Sequence, residues 1–98
     1  MILRKRFSDV VSRQLDLFVE VEGDGLLAEV RKRKASYDRA DRDDAEEAYG
    51  EYVDAVDAVR DALEEMRDRF AKTLADDALE EYEAAFDRAA QKRWRWLG

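Results

Sequence analysis

The sequence has no cysteine, no histidine and no proline, and only four glycines. Without cysteine there can be no disulfide, thiolate metal site, iron–sulfur cluster or cysteine nucleophile. Without histidine the chain lacks the usual general base, the histidine-containing triads and the commonest metal ligand. It also lacks the Glu-x-x-His pattern of ferritin-like di-iron bundles. No glycine-rich phosphate loop or nucleophile motif appears. Carboxylates alone could do acid–base work, but each has an ordinary place on a solvated surface. An enzyme is therefore not expected, and no cofactor or metal is implied. Long apolar runs are missing too. The densest patch, Leu15 to Val21, is interrupted by Asp16 and Glu20, whereas a membrane-spanning helix needs about 20 apolar residues. The start, Met1-Ile2-Leu3-Arg4-Lys5-Arg6, turns polar too soon for a secretory signal. The expected location is the cytoplasm, and a membrane is disfavoured as a partner.

What remains is the composition of helices with short connections. Of the 98 residues, 44% are charged and 46% hydrophobic, and the helix breakers are nearly absent. A chain this size buries roughly 60–68% of its unfolded surface, a modest core that association would enlarge. The clearest loop signal is Glu22-Gly23-Asp24-Gly25. Before it, Phe7, Val11, Leu15 and Phe18 fall on one helical face, with Val10 and Val21 beside them, predicting a helix from about Ser8 to Val21. Ser8 is placed to cap its start, and Asp9 suits the positive end of its dipole. Leu15, Leu17, Val19 and Val21 also alternate, and Gly23-Asp24-Gly25 could turn a β-hairpin. The helix is preferred because the alternation is short and no partner strand follows.

A second helix starts near Leu26, its apolar character carried by Leu26, Leu27, Val30 and Tyr37. Residues 38–44 then contain no large apolar side chain. They read as a break or bend in which Asp41 or Asp43 caps the next helix, the alternative being an exposed stretch of one continuous helix. Further on, Tyr49, Tyr52, Val56, Val59, Leu63, Met66, Phe70 and Thr73 recur at alternating steps of three and four, a heptad seam over more than three repeats. Glu65 with Arg69, and Asp68 with Lys72, are favourably ordered pairs four apart. The chain reverses near Thr73 to Asp77, and Asp77 with Glu80 resembles a capping box. A last helix presents Leu79, Tyr82, Phe86, Ala89, Ala90, Trp94 and Leu97. About 21 residues long, it is shorter than its predecessor, so the two should form an antiparallel hairpin whose longer helix overhangs at its start. The expected fold is all-α: a small antiparallel bundle of three or four helices built around this C-terminal hairpin. Residues 1–98 form one domain, with basic N-terminal helices over 1–37 and an acidic heptad hairpin with a basic-aromatic end over 38–98.

Charge is segregated along the chain. Residues 1–37 carry eight basic and six acidic side chains, residues 38–87 six and nineteen, and residues 88–98 four and none, within a net charge of −7. Asp54, Asp57, Asp61, Glu64 and Asp68 share the face opposite the seam, as a solvated surface usually does. A basic partner is the competing explanation; a cation site would need converging oxygens. Lys92-Arg93-Trp94-Arg95-Trp96 interleaves cations with indoles. On a helix the two indoles lie about 200° apart and would flank the core from both sides. Four alternating helices would gather residues 1–6, 31–34 and 92–95 into one basic pole.

These features favour a non-enzymatic interaction or assembly module, self-associating or binding a protein partner, with Tyr49, Tyr52, Trp94 and Trp96 as candidate anchors. The second reading is a regulator that meets nucleic acid or an anionic membrane through Arg4, Lys5, Arg6, Arg93 and Arg95. The net charge opposes it, because nucleic-acid-binding domains are usually strongly basic.

Overall fold

The computed structural model describes residues 6–98, in which four α-helices and a terminal 3₁₀ turn are present without any strand. The helices are α1 (Ser8–Glu22), α2 (Leu26–Arg39), α3 (Ala45–Ala71) and α4 (Asp76–Arg93), followed by the 3₁₀ turn Arg95–Leu97. The helical reading of Leu15–Val21 thus prevails over the hairpin, and residues 40–44 do break the chain. Among the described residues no helix is long and apolar enough to cross a membrane.

α3 is the wall on which the others are laid. α4 runs back along its second half: Phe70 meets Tyr82 with ring centroids 4.8 Å apart, and Arg67 reaches Asp87 at 3.0 Å. α2 runs back along its first half, with Arg33 on Glu51 at 2.6 Å and Tyr37 against Tyr49 at 5.2 Å. α1 lies beside α4 in the same direction, from Phe7 on Tyr82 (5.5 Å) to Phe18 on Trp94 (5.8 Å). Two helices, α1 and α4, therefore accompany the second half of α3, whereas only α2 accompanies the first half. This leaves a two-helix arm. The molecule measures 51 × 23 × 21 Å with a radius of gyration of 15.9 Å, against about 13 Å for a compact chain of this length.

The predicted apolar face of α1 is buried as expected: Phe7, Val11, Leu15 and Phe18 are all at or below 8% exposure. Val21 is not beside them; it is 67% exposed. In α3 the seam is buried only in its middle, at Val56, Val59 and Leu63, while Tyr49 and Thr73 lie exposed at its two ends. Thr73 instead closes the turn into α4, donating its hydroxyl to the Phe70 carbonyl at 2.7 Å. Tyr82 is fully buried at the junction of α1, α3 and α4, and its hydroxyl donates to Gln14 Oε1 at 2.8 Å.

Several local expectations need correction. Ser8 makes no cap bond: the helix is entered from Phe7, whose carbonyl accepts the Val11 amide at 2.9 Å and whose ring must reach Tyr82. Asp77 and Glu80 form no capping box. α4 is entered from Ala75, two residues before the expected cap, and Asp76 and Asp77 occupy its first turn, where the dipole favours acids. Asp68 pairs with its neighbour Arg67 at 2.9 Å rather than with Lys72, while Glu65–Arg69 forms as read, at 3.0 Å. Neither Asp41 nor Asp43 caps α3, whose cap position is Asp44 without a side-chain cap bond; the Asp41 carboxylate instead ties the turn before it, accepting the Asp43 and Asp44 amides at 3.1 Å each. The link Gly23–Gly25 is not a reversal. Gly23 keeps helical angles (φ −57°, ψ −43°) and only Gly25 departs (φ −104°, ψ −104°), so α2 continues away from α1 along α3.

The glycines differ in what they permit. A Cβ at Gly23 would come within 2.5 Å of the Val19 carbonyl oxygen, whereas one at Gly50 would meet nothing within 4 Å. Gly50→Ala is therefore expected to stabilise the fold by about 0.5–1 kcal/mol and Gly23→Ala to destabilise it by about 1–3 kcal/mol, as urea melts would show. A further expectation concerns pH. Burial raises the Tyr82 pKa above its ordinary value of 10.0. The stabilisation from a neutral Tyr82 is complete below that value and is lost as pH climbs through the higher pKa of the folded state. Tyr82→Phe should cost about 0.5–1.5 kcal/mol near pH 7 through the lost bond, and this deficit should shrink or reverse in melts at about pH 11.

Candidate functional site

The arm carries Tyr49, the one aromatic side chain that is exposed among the described residues. An α-hairpin pairs residues equidistant from its turn. The break at residues 40–44 therefore places Tyr37 of α2 opposite Tyr49 and Tyr52 of α3. The Tyr37 and Tyr52 rings are stacked, 6.4 Å apart with planes at 8°; Tyr49 tilts against both, at 5.2 and 6.4 Å. Tyr49 is 51% exposed and the other two are half-buried. Two predicted anchors are thus brought together, and a third, Tyr37, was not among them.

The edges of this face are charged. On α2, Lys34 holds Asp38 at 2.8 Å, and that hydrogen bond raises its pKa. Arg33 bridges Glu29 and Glu51, both at 2.6 Å, and Arg31 donates to the Gly23 carbonyl at 3.2 Å. On α3, Glu46, Tyr49, Val53 and Asp57 follow one another at steps of three and four along one row, with Glu46 and Asp57 exposed. Among the described residues Glu46 and Asp54 have no ion-pair partner, while Asp57 pairs with Arg60 at 2.7 Å.

Trp94 and Trp96 are placed differently from the helical expectation. α4 ends at Arg93, Trp94 is extended (φ −126°, ψ 92°), and the 3₁₀ turn follows. The indoles are therefore neighbours, 6.5 Å apart, rather than on opposite sides. Both are partly buried against the core. The turn returns Leu97 to the interior at 7% exposure, and Arg60 donates to its carbonyl. A continued α-helix would have set the indoles about 200° apart; this turn brings both together against the core edge. Trp94 packs on Phe18, with the Arg93 guanidinium 5.8 Å from its ring centre. Aromatic contacts among the described residues do not join this pair to the tyrosines.

The basic candidates are dispersed. Arg4 and Lys5 lie outside the described residues. Arg6 faces Glu81 at 3.7 Å, near the start of α4, and Arg93 faces Asp16 at 2.9 Å, at its end. Twelve helical residues, about 18 Å, separate those two places. Arg95 is exposed in the terminal turn. Because α1 and α2 run the same way along α3, the alternation required for a basic pole is not met. A groove of about 550 Å³ between α1 and α4 is rimmed by Arg88, Lys92 and Arg93, but Val11 and Leu15 on its floor are already 2% and 1% exposed, which leaves little apolar surface to offer. The acidic stripe from Asp54 to Asp68 is exposed throughout, and among the described residues no three carboxylates converge as a metal site.

No family model matches the sequence, and no curated protein or solved structure matches the chain. The geometry separates the candidate anchors by the kind of work they do. Trp94→Ala is expected to cost about 2–4 kcal/mol of stability by opening the Phe18 contact, and Tyr49→Ala, at an exposed site, about 0.5 kcal/mol or less. Chemical denaturation of the two variants would check this.

Proposed function

We propose that the protein is a non-enzymatic helical interaction module whose docking surface is the tyrosine face of the arm. The observation that carries this reading is the mismatch between the 27 residues of α3 and the 18 of α4. The seam row Tyr49–Val56–Leu63–Phe70 is continuous in α3. α4 and the terminal turn cover its Phe70 and Leu63 end, and its Tyr49 end is left half exposed. An exposed tyrosine grouped with half-buried ones is a typical interface anchor, because two rotatable bonds fix a large apolar area.

The alternative, a regulator contacting nucleic acid or an anionic membrane through its basic ends, draws less support. Two of its described cations, Arg6 and Arg93, already face carboxylates and lie apart.

Recovery of partners on the tagged full-length chain from its native host, with and without nuclease, tests the proposal. A nuclease-resistant protein partner is expected, recovered at least about 10-fold less with Tyr49→Ala, the loss of a typical anchor. The melting temperature of that variant should be nearly unchanged. Recovery that ignores Tyr49→Ala, or that disappears with nuclease, would count against the proposal.

A further inference from the structure

We infer that the occupant of the tyrosine face is a single amphipathic helix of about four turns from a partner protein, with basic residues along its α3-facing edge. The inference rests on the interaction-module reading and adds the chemistry of the partner. The slot is the continuation of the one α4 fills. The α3 row that packs Phe70 on Tyr82 runs on past Leu97 to Tyr49. A helix laid there would rest on α2 and α3 much as α4 rests on α1 and α3. The part of α3 beyond the end of α4, about residues 45–58, is roughly 21 Å long at 1.5 Å per residue, the length of about 14 helical residues; along this row Tyr49 is exposed and Val53 partly so, while Val56 is already buried.

Charge selects the occupant. The α2 edge is largely satisfied within the chain, since Lys34 holds Asp38 and Arg31 holds a backbone carbonyl. The α3 edge is acidic, with Glu46 exposed and, among the described residues, without an ion-pair partner. A basic edge meets it with opposite sign, which favours encounter and fixes orientation. A second copy fits less well. Two arms laid face to face and antiparallel, so that each avoids the other's α4, would stack α3 on α3, acid against acid. The parallel arrangement would oppose bases to acids but bring both α4 helices to the same place. The preferred occupant is therefore a helix that brings no acidic wall of its own.

The test is titration of the full-length protein with synthetic 16-residue helices, read by calorimetry and by amide chemical shifts. One peptide carries leucine at steps of three and four with lysine flanks. A second replaces lysine with glutamate, and a third scrambles the first so that no apolar face forms. The lysine-flanked helix is expected to bind at least about 10-fold more tightly than either control, with shifts centred on Tyr37, Tyr49 and Tyr52. Tyr49→Ala should weaken it about 10-fold or more. Glu46→Lys, a surface change that leaves the tyrosines in place, should weaken it several-fold, and added salt should do the same. Equal binding of the scrambled peptide, or binding indifferent to Tyr49→Ala, would overturn the inference by reducing it to bulk attraction to an acidic chain. Sedimentation of the protein alone separates this from the broader reading. A dimer abolished by Tyr49→Ala would overturn the partner helix in favour of a second copy while leaving the module standing. Loss of both this binding and any Tyr49-dependent partner from the host would remove the module as well.

Discussion

The unequal length of α3 and its neighbours is the constraint on which the molecule depends. A helix of 27 residues is about 40 Å long, and with its apolar seam it must be covered along its length or show that seam to water. α4, at 18 residues, covers the second half. The rest falls to α2, and α1 is left to close the far side of α4. From this follow the elongated shape, the fully buried Tyr82 where three helices converge, and the half-exposed Tyr49 where only two do. The two halves also differ in how they are held. Around Tyr82 the interior is aromatic, with Phe7, Phe70 and Phe86 around one ring. Along the arm, Leu27, Val30, Ala55 and Val56 are the buried side chains, and the Arg33 bridge between Glu29 and Glu51 adds a cross-link at the edge. Exposed ion pairs of that kind contribute only about 0–1 kcal/mol. The arm is thus the half with less buried apolar surface to hold it.

Much of this was legible in the residues. The heptad spacing from Tyr49 to Phe70 identified α3 and its buried row, because side-chain direction on a helix follows from spacing alone. The face Phe7–Val11–Leu15–Phe18 was legible for the same reason, and so was the overhang, which needs only two helix lengths. Tyr37 could have been grouped with Tyr49 once residues 40–44 were taken as the turn, since the two lie nearly equidistant from Arg42 and Asp43. The missing step was to apply the symmetry of the hairpin.

The errors fall where local chemistry leaves two answers and packing chooses. Gly23-Asp24-Gly25 announces backbone freedom but not the direction of exit. The chain uses that freedom at Gly25 alone, and α2 travels on along α3 because the first half of α3 is the surface that needs a partner. Ser8 and Asp77 are good capping residues, yet the helices are entered one and two residues before the expected caps: Phe7 is drawn to Tyr82, and the chain leaves the α3–α4 turn at Ala75. A cap is worth about 1 kcal/mol. Burying an aromatic ring is worth roughly 1.5–3 kcal/mol, so the ring decides.

The tryptophans show how this affects a functional reading. In sequence, Trp94 and Trp96 look like the stronger anchors, being larger than tyrosine and interleaved with arginine. A 3₁₀ turn of three residues removes that advantage by folding both indoles onto the core edge, where Leu97 gains burial at the same time. The tyrosines cannot be rescued in this way. They sit within regular helices, and the nearest part of the chain that could cover them, the end of α4, has already turned inward. The fold thus packs its C-terminal aromatics against the core edge and leaves Tyr49 of the arm exposed. The same inward turn that completes the core at Leu97 ends the α4 layer and opens the slot beyond it.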